Sequence, residues 1–345
     1  MKNIVLIGAG KRVINTIAPA LLINKNYKIN QIISNNPGKE IKLPHQNTYL
    51  SFLTNPLEKI KLNNTDILYI GIPPKEIIKV IKYLYQTQNL DKIILLIDTP
   101  PINIKNLFEI SYFLRFKDVY VLEDWPFFKT FNILKENINK NLIGDLKDIF
   151  LFHNSYKYHT LSLLRKLFNI NSFTIILKKK QSGGFSKTYI FSGFKKICSI
   201  QDPRNYNVGR FILKGTKGSI SDYEIKSNNN FKNLILKYEI FNNIFSGFSI
   251  YIKNKIYKSY TLKNKFIIKS NTINSEIHEY LKIDAVNEML ELISKNKYTN
   301  KYSLRSAIYD YIAYFCVDKF GLFIDVPIPF TNISILSILI KLIYK

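Results

Sequence analysis

The stretch Asn3-Ile4-Val5-Leu6-Ile7-Gly8-Ala9-Gly10-Lys11-Arg12 decides the fold. Four apolar residues in a row after Asn3, stopped by glycine, suit a strand buried on both faces, as in a parallel sheet. The apolar spacing from Ile14 to Leu22 then predicts a helix. A Gly-x-Gly at a strand-to-helix turn has a physical use. Gly8 permits the tight turn, Gly10 lets the backbone approach a pyrophosphate, and the helix start supplies amide donors and a positive dipole end. Val13 stands where a third glycine governs helix–strand packing, which loosens the match without removing the phosphate site.

Working outward, the alternation continues. Strands are predicted at Ile29–Ile33, Ile67–Ile70, Ile93–Ile97 and Val119–Leu122, with helices at Glu76–Tyr85 and about 104–115 between them. Strands alternating with helices mean βαβ units. Beyond about residue 130, helices are predicted at Phe131–Ile138 and Thr160–Phe168. Strand after strand follows: Phe173–Leu177, Thr188–Ser192, Phe211–Lys214, Leu234–Ile240, Phe248–Ile252 and Lys265–Ile268. Helices at about 279–295 and Leu304–Phe320 come next, and the apolar tail Ile333–Ile343 is expected to pack on the body. The expected architecture is α/β: a doubly wound parallel sheet over residues 1–122, then an α+β domain over 123–345 with a large, mostly antiparallel sheet.

The second strand ends in Ser34-Asn35-Asn36-Pro37-Gly38, which is turn chemistry. An acid there would bond a free ribose 2′-hydroxyl. Its absence, with Arg12 and Lys39 nearby, favours NADP over NAD.

The formal charge of +25 raises the question of nucleic acid. The cations are nearly all lysine, since arginine stands only at Arg12, Arg115, Arg165, Arg204, Arg210 and Arg305. They are scattered, no nucleic-acid motif accompanies them, and the wealth of Ile, Asn, Tyr and Phe matches AT-rich codon usage. A dedicated nucleic-acid role is therefore not expected. No run reaches the roughly 18 apolar residues of a membrane span. Two cysteines, Cys198 and Cys316, give no disulfide framework and point to a reducing, cytoplasmic setting. No metal site is expected, because no His-Glu-x-x-His or paired-cysteine spacing occurs.

Proton transfer asks for a group that titrates near neutrality. Of the four histidines, His45 follows Pro44 in a polar loop, His278 lies in a helix pattern, and His153 precedes His159 at a spacing that is no metal signature. His159, at a helix start, is the candidate general acid/base. Lys157 is two residues away. Asp124, in Leu122-Glu123-Asp124-Trp125-Pro126, follows the last Rossmann-type strand, where open α/β sheets bind ligands.

The order of these pieces resembles the Gfo/Idh/MocA oxidoreductases. The phosphate motif resembles Ile7-Gly8-Ala9-Gly10-Lys11-Arg12. The family's Asp…Pro-Pro strand is similar to Asp66 through Ile72-Pro73-Pro74, its sixth-strand region to Val119 through Leu146, and its Gly-Thr-x-Gly turn to Gly215-Thr216-Lys217-Gly218. The resemblance implies a Rossmann domain, an NAD(P) cofactor held by Gly8, Gly10, Lys11, Arg12, Ser34, Asn35, Asn36, Ile72, Pro73, Pro74, Asp98 and Thr99, a carbohydrate-like substrate, and a homo-oligomer. It also marks departures. The family's Glu-Lys-Pro is Asp98-Thr99-Pro100, so its lysine is missing. Its Asp-x-Gly-x-His-x-x-Asp is Ser155-Tyr156-Lys157-Tyr158-His159-Thr160-Leu161-Ser162, which keeps only the histidine. The alternative is therefore a catalytically degenerate dinucleotide-binding protein, a sensor, scaffold or non-redox enzyme.

Overall fold

The computed structural model describes residues 1–45, 48–154, 157–205, 209–224, 232–269, 273–297 and 302–325; the side chains of His45 and Lys157 and the apolar tail at 333–343 lie outside the described residues. The chain divides into two units. Among the described residues the first holds Met1–Phe127 and Lys282–Ile312, the second Phe128–Leu281 and Ala313–Asp325. This differs from a single cut at 122/123, because a late helical segment returns to the first unit.

In the first unit, β1 (Lys2–Ile7), β2 (Tyr27–Ile33), β5 (Ile67–Ile70), β6 (Ile94–Asp98) and β7 (Asp118–Leu122) are parallel. A hairpin of β3 (Glu40–His45) and β4 (Thr48–Asn55) extends the edge, and the order is β3-β4-β2-β1-β5-β6-β7. Ile4, Val5, Leu6 and all of β5 are 0–1% exposed, which is why both strands read as unbroken apolar runs. The register pairs Ile7 with Ile33 and Ile70, Ile70 with Ile97, and Asp98 with Leu122. The carboxyl ends of β2, β1, β5, β6 and β7 therefore finish in one row. The strand order runs one way from β1 to β2 and the other way from β5 to β7, so the gap between β1 and β5 is the switch point at which open α/β sheets bind ligands.

Helix α1 covers residues 11–23, with π-helical turns at Val13–Ile17. Helix α2 is Pro74–Thr87. The stretch Ile104–Arg115, expected as an α-helix, is a 3₁₀ helix instead. Its buried residues Ile110 and Phe113 continue to Phe116 at a spacing of three, the 3₁₀ repeat rather than the α repeat. The hairpin β3–β4 was not expected. Its alternation is present, Ile41 and Leu43 buried between exposed Glu40 and Lys42, but Pro44 interrupts the run.

In the second unit, α3 (Lys129–Asn139) and α4 (Lys157–Phe168) accompany a ten-stranded sheet, counted among the described residues. Its strands are β8 (Leu146–Phe152), β9 (Ile175–Lys180), β10 (Ser186–Ser192), β11 (Lys195–Asp202), β12 (Arg210–Gly215), β13 (Gly218–Ser221), β14 (Lys232–Phe241), β15 (Ile244–Ile252), β16 (Lys255–Ile267) and β17 (Leu322–Ile324). Pairing is antiparallel except for β8–β11 and β13–β14. The turns Asn242-Asn243 and Lys253-Asn254 have two consecutive positive φ angles each, as a two-residue type I′ hairpin requires.

Helices α5 (Ile273–Ser294) and α6 (Leu304–Phe320) supply the segment that returns to the first unit. Polar groups fasten α5 there. Tyr27 Oη donates to the Leu290 carbonyl at 2.6 Å, and Asn24 Nδ2 donates to Asn287 Oδ1 at 2.9 Å, with both asparagines 4% exposed. Tyr27→Phe removes the bond to the Leu290 carbonyl. It should cost about 1 kcal/mol, read as a lower urea midpoint at unchanged slope.

Candidate functional site

The row of strand ends is built from backbone contacts first. Gly8 donates to the Ile33 carbonyl at 2.8 Å, and Gly71 donates to the Ile7 carbonyl at 2.8 Å. Gly8 has φ +115°, and a Cβ on it would lie 2.4 Å from the Gly71 carbonyl oxygen. Gly71 is equally confined: its Cβ would come within 2.9 Å of Val13 Cγ2 and 2.6 Å of the Tyr69 ring. The bulk that Val13 brings to the third glycine position is thus absorbed by a glycine on the opposing strand. Gly10 is different, because a Cβ there meets nothing within 4 Å. Its smallness leaves room beside the helix start rather than serving a contact in the protein. The first i to i−4 bond of α1 runs from Ile14 to Gly10 at 3.1 Å, so the amides of Lys11, Arg12 and Val13 precede it. That is the donor set a phosphate accepts from, and these residues fit a dinucleotide's pyrophosphate.

At the β2 end, the Asn36 amide donates to Ser34 Oγ at 3.2 Å, and Thr54 Oγ1 donates to the Asn36 carbonyl at 2.7 Å. Ser34 is half-buried; Asn35, Asn36 and Lys39 are exposed. The stretch is turn chemistry, and it brings no carboxylate to this corner.

Past β5, Ile72 and Pro74 are half-buried and Pro73 is exposed. At the ends of β6 and β7 a polar cluster forms. Arg12 Nη1 donates to Asp124 Oδ2 at 2.7 Å, and its Nε lies 3.4 Å from Asp98 Oδ2. Tyr69 Oη donates to the same Asp98 oxygen at 2.5 Å. Thr99 Oγ1 donates to Glu123 Oε2 at 2.8 Å, and the Trp125 amide reaches Glu123 Oε1 at 3.3 Å. Glu123, Asp124 and Trp125 are buried. Burial pushes the Asp98 carboxyl above its usual range, although Arg12 and the Tyr69 bond oppose the shift. Burial works against the Arg12 charge, but Asp124 and then Asp98 hold it firmly protonated. Burial, followed by Asp98, raises the Tyr69 hydroxyl well above its ordinary value.

The reading from sequence had offered Arg12 to a 2′-phosphate at the β2 end. Its guanidinium is instead committed to carboxylates at β6 and β7. Asp124 had been assigned to substrate, and it is Arg12's partner. Tyr69, Gly71 and Glu123 were not singled out. Tyr69 sits in an apolar run where a core role explains it, and its partner Asp98 is 29 residues away.

The other candidates belong to the second unit. His159 lies in the first turn of α4, half-buried, with its ring 4.6 Å from that of Tyr158 and its carbonyl accepting from Ser162 Oγ at 2.8 Å. His153 holds the Pro203 carbonyl through Nδ1 at 2.6 Å, and His278 packs edge-on against Phe128 at 5.2 Å. Among the described residues no group of three or more His, Cys, Asp or Glu is arranged to hold a metal, and no helix is long and apolar enough to cross a membrane.

No family model and no curated protein matches this chain by sequence. Solved structures do match its fold. A scyllo-inositol dehydrogenase from Lactobacillus casei, with bound NAD(H) and scyllo-inositol, superposes with a TM-score of 0.59 at 11% identity, over 92% of this chain and 96% of that one. A myo-inositol dehydrogenase from Corynebacterium glutamicum gives 0.56 at 12%, over 95% and 100%. A super-repressor mutant of Gal80p from Saccharomyces cerevisiae gives 0.63 at 13%, over 94% and 97%. The chain has the Gfo/Idh/MocA fold. The sequence identities of 11–13% show that likeness to be one of fold.

The two glycines of the turn should respond differently to substitution. Gly8→Ala forces a Cβ against a backbone oxygen at positive φ, and should destabilise by about 2 kcal/mol or more, seen as a lower melting temperature. Gly10→Asp has space and should fold, but it puts a negative charge beside the helix-start amides and should abolish the binding of a dinucleotide in calorimetry.

Proposed function

We propose that this chain is a nicotinamide-dinucleotide-dependent oxidoreductase that prefers NADP and acts on a sugar, polyol or sugar-nucleotide-like substrate. The observation that carries the reading is the Gly8–Gly10 turn at the switch point, open beside Gly10 and in line with four other strand ends. The bound NAD(H) and scyllo-inositol of the Lactobacillus casei neighbour support the cofactor and substrate classes. The NADP preference rests on the β2 corner. Ser34, Asn35 and Asn36 offer hydroxyl and amide groups, Lys39 offers a cation, and no carboxylate repels a 2′-phosphate. The amides of Lys11, Arg12 and Val13, beside the open space at Gly10, take the pyrophosphate. Ile72, Pro73, Pro74, Asp98 and Thr99 line the strand ends on the other side of β1, under the second nucleoside.

When bound, the dinucleotide supplies the hydride acceptor or donor. The chain supplies the proton partner, for which His159 is assigned as general acid/base, with Lys157 beside it in sequence. Asp124 holds Arg12 in place and through it the β6 end. The reading includes a homo-oligomer: Tyr238, Ile240, Phe241, Ile256, Tyr257 and Ile267 stay exposed on β14 and β16, apolar surface that a second copy would cover. It also includes a cytoplasmic setting, from the unpaired Cys198 and Cys316.

One observation favours a second reading, a binding protein without turnover. The family lysine is replaced by Thr99, already engaged with Glu123, and the same fold serves in the Gal80p super-repressor. Turnover on a panel of polyols separates the two.

Side-by-side titrations should give tighter binding of NADPH than NADH. Ser34→Asp should reverse that order by repelling the 2′-phosphate and bonding a free ribose hydroxyl; a wild type that prefers NADH refutes the assignment. His159→Ala should lower turnover by about a hundredfold with NADPH affinity retained; unchanged turnover removes His159 from the chemistry.

A further inference from the structure

Asp98 has one carboxylate oxygen fully engaged and one left over. Oδ2 accepts from Tyr69 Oη at 2.5 Å and faces Arg12 Nε at 3.4 Å, whereas Oδ1 is buried and has no partner among the described residues. Buried acceptors are seldom left unmade, and each one calls for an explanation. Three elements hold this carboxylate: β6 carries it, Tyr69 of β5 fixes one oxygen, and Arg12 of α1 backs the same oxygen. Its position tells which part of a ligand meets it. In a doubly wound sheet the end of the second strand reads the adenosine ribose, and the glycine turn takes the pyrophosphate. The remaining nucleoside then lies on the far side of β1, over β5, β6 and β7. Asp98 ends β6, two strands from β1 on that side.

We propose that Asp98 is the counter-charge for the nicotinamide ring, so that this site holds the oxidised, cationic form of the cofactor more tightly than the reduced, neutral form. The inference rests on the dinucleotide reading above and deepens it to the redox state of the ligand.

The local charge balance agrees. Arg12 contributes one positive charge, Asp98 and Asp124 one negative charge each, and Tyr69 none, its hydroxyl being kept protonated by burial. Glu123, reached through Thr99, adds a further carboxylate behind them. Asp98 itself is pushed up by burial against the pull of Arg12 and Tyr69, with Asp124 adding to the rise. A cationic ring beside it favours the carboxylate and opposes that shift, while the neutral reduced ring gains nothing.

The test is calorimetric titration of the full chain with NADP⁺, NADPH and 2′,5′-ADP in wild type and Asp98→Asn. The wild type should bind NADP⁺ more tightly than NADPH. Asp98→Asn should lower the NADP⁺ to NADPH affinity ratio by about tenfold and leave 2′,5′-ADP, which lacks the nicotinamide, unchanged. Tyr69→Phe provides a charge-preserving control and should keep the preference. An unchanged ratio in Asp98→Asn, equal weakening of 2′,5′-ADP, or a ratio lowered as far in Tyr69→Phe as in Asp98→Asn overturns the inference while the dinucleotide reading stands. Failure of the wild type to bind any of the three overturns both.

Discussion

The backbones of Gly8 and Gly71 meet with no room for a side chain on either. A Cβ on one strikes a carbonyl oxygen, and a Cβ on the other strikes Val13 and Tyr69. This contact closes the gap between β1 and β5 at the point where the strand order reverses, and the site geometry depends on it. It lets α1 leave the sheet at an angle that puts Arg12 within reach of Asp98 and Asp124. It also turns the Tyr69 ring beneath Gly71, where its hydroxyl meets Asp98. A side chain at either glycine would part the strands and separate the phosphate turn from the carboxylates that stand beside it.

That constraint explains which parts of the fold were legible in sequence. The parallel strands are buried on both faces, so they stand out as the apolar runs Ile4–Ile7, Ile67–Ile70 and Ile94–Ile97, and the turn between β1 and α1 carries its own glycines. Periodicity also located α2, α3 and most of the second sheet. What escaped has specific reasons. The β3–β4 hairpin is short, polar on one face and broken by Pro44. The Ile104–Arg115 segment repeats every three residues, a period easily taken for the α-helical one. The attachment of Lys282–Ile312 to the first unit depends on Asn24, Tyr27, Asn287 and Leu290, which are separated by more than 260 residues. Long-range polar pairs leave no periodic trace.

The site was legible in its location and less so in its connections. Residue type and spacing pointed to Gly8, Gly10, Ser34 and Asp124, and the family resemblance to Asp98 and Thr99; all of them lie at the carboxyl ends of the first sheet. The partners could not be read. Arg12 looks like a phosphate ligand because it follows a phosphate turn, yet two carboxylates from other strands claim its guanidinium. Tyr69 looks like core because it is core on one side, and its hydroxyl is the exception. The glycine that compensates Val13 lies on a different strand, 58 positions later in the chain.

Charge follows the same division between what composition reports and what geometry decides. The excess of +25 is carried largely by scattered lysines, and long ammonium side chains keep their heads in water. Such charges are screened beyond roughly 8 Å at physiological salt. At the strand ends the balance has the opposite sign: Asp98, Glu123 and Asp124 gather around a single arginine, and burial strengthens every interaction among them. These few carboxylates act on the row of strand ends from close behind it, while the lysine excess acts there only through salt water. The chemistry of the site is therefore set by a local acidic balance within a strongly basic chain, and the net charge of the protein gives no guide to it.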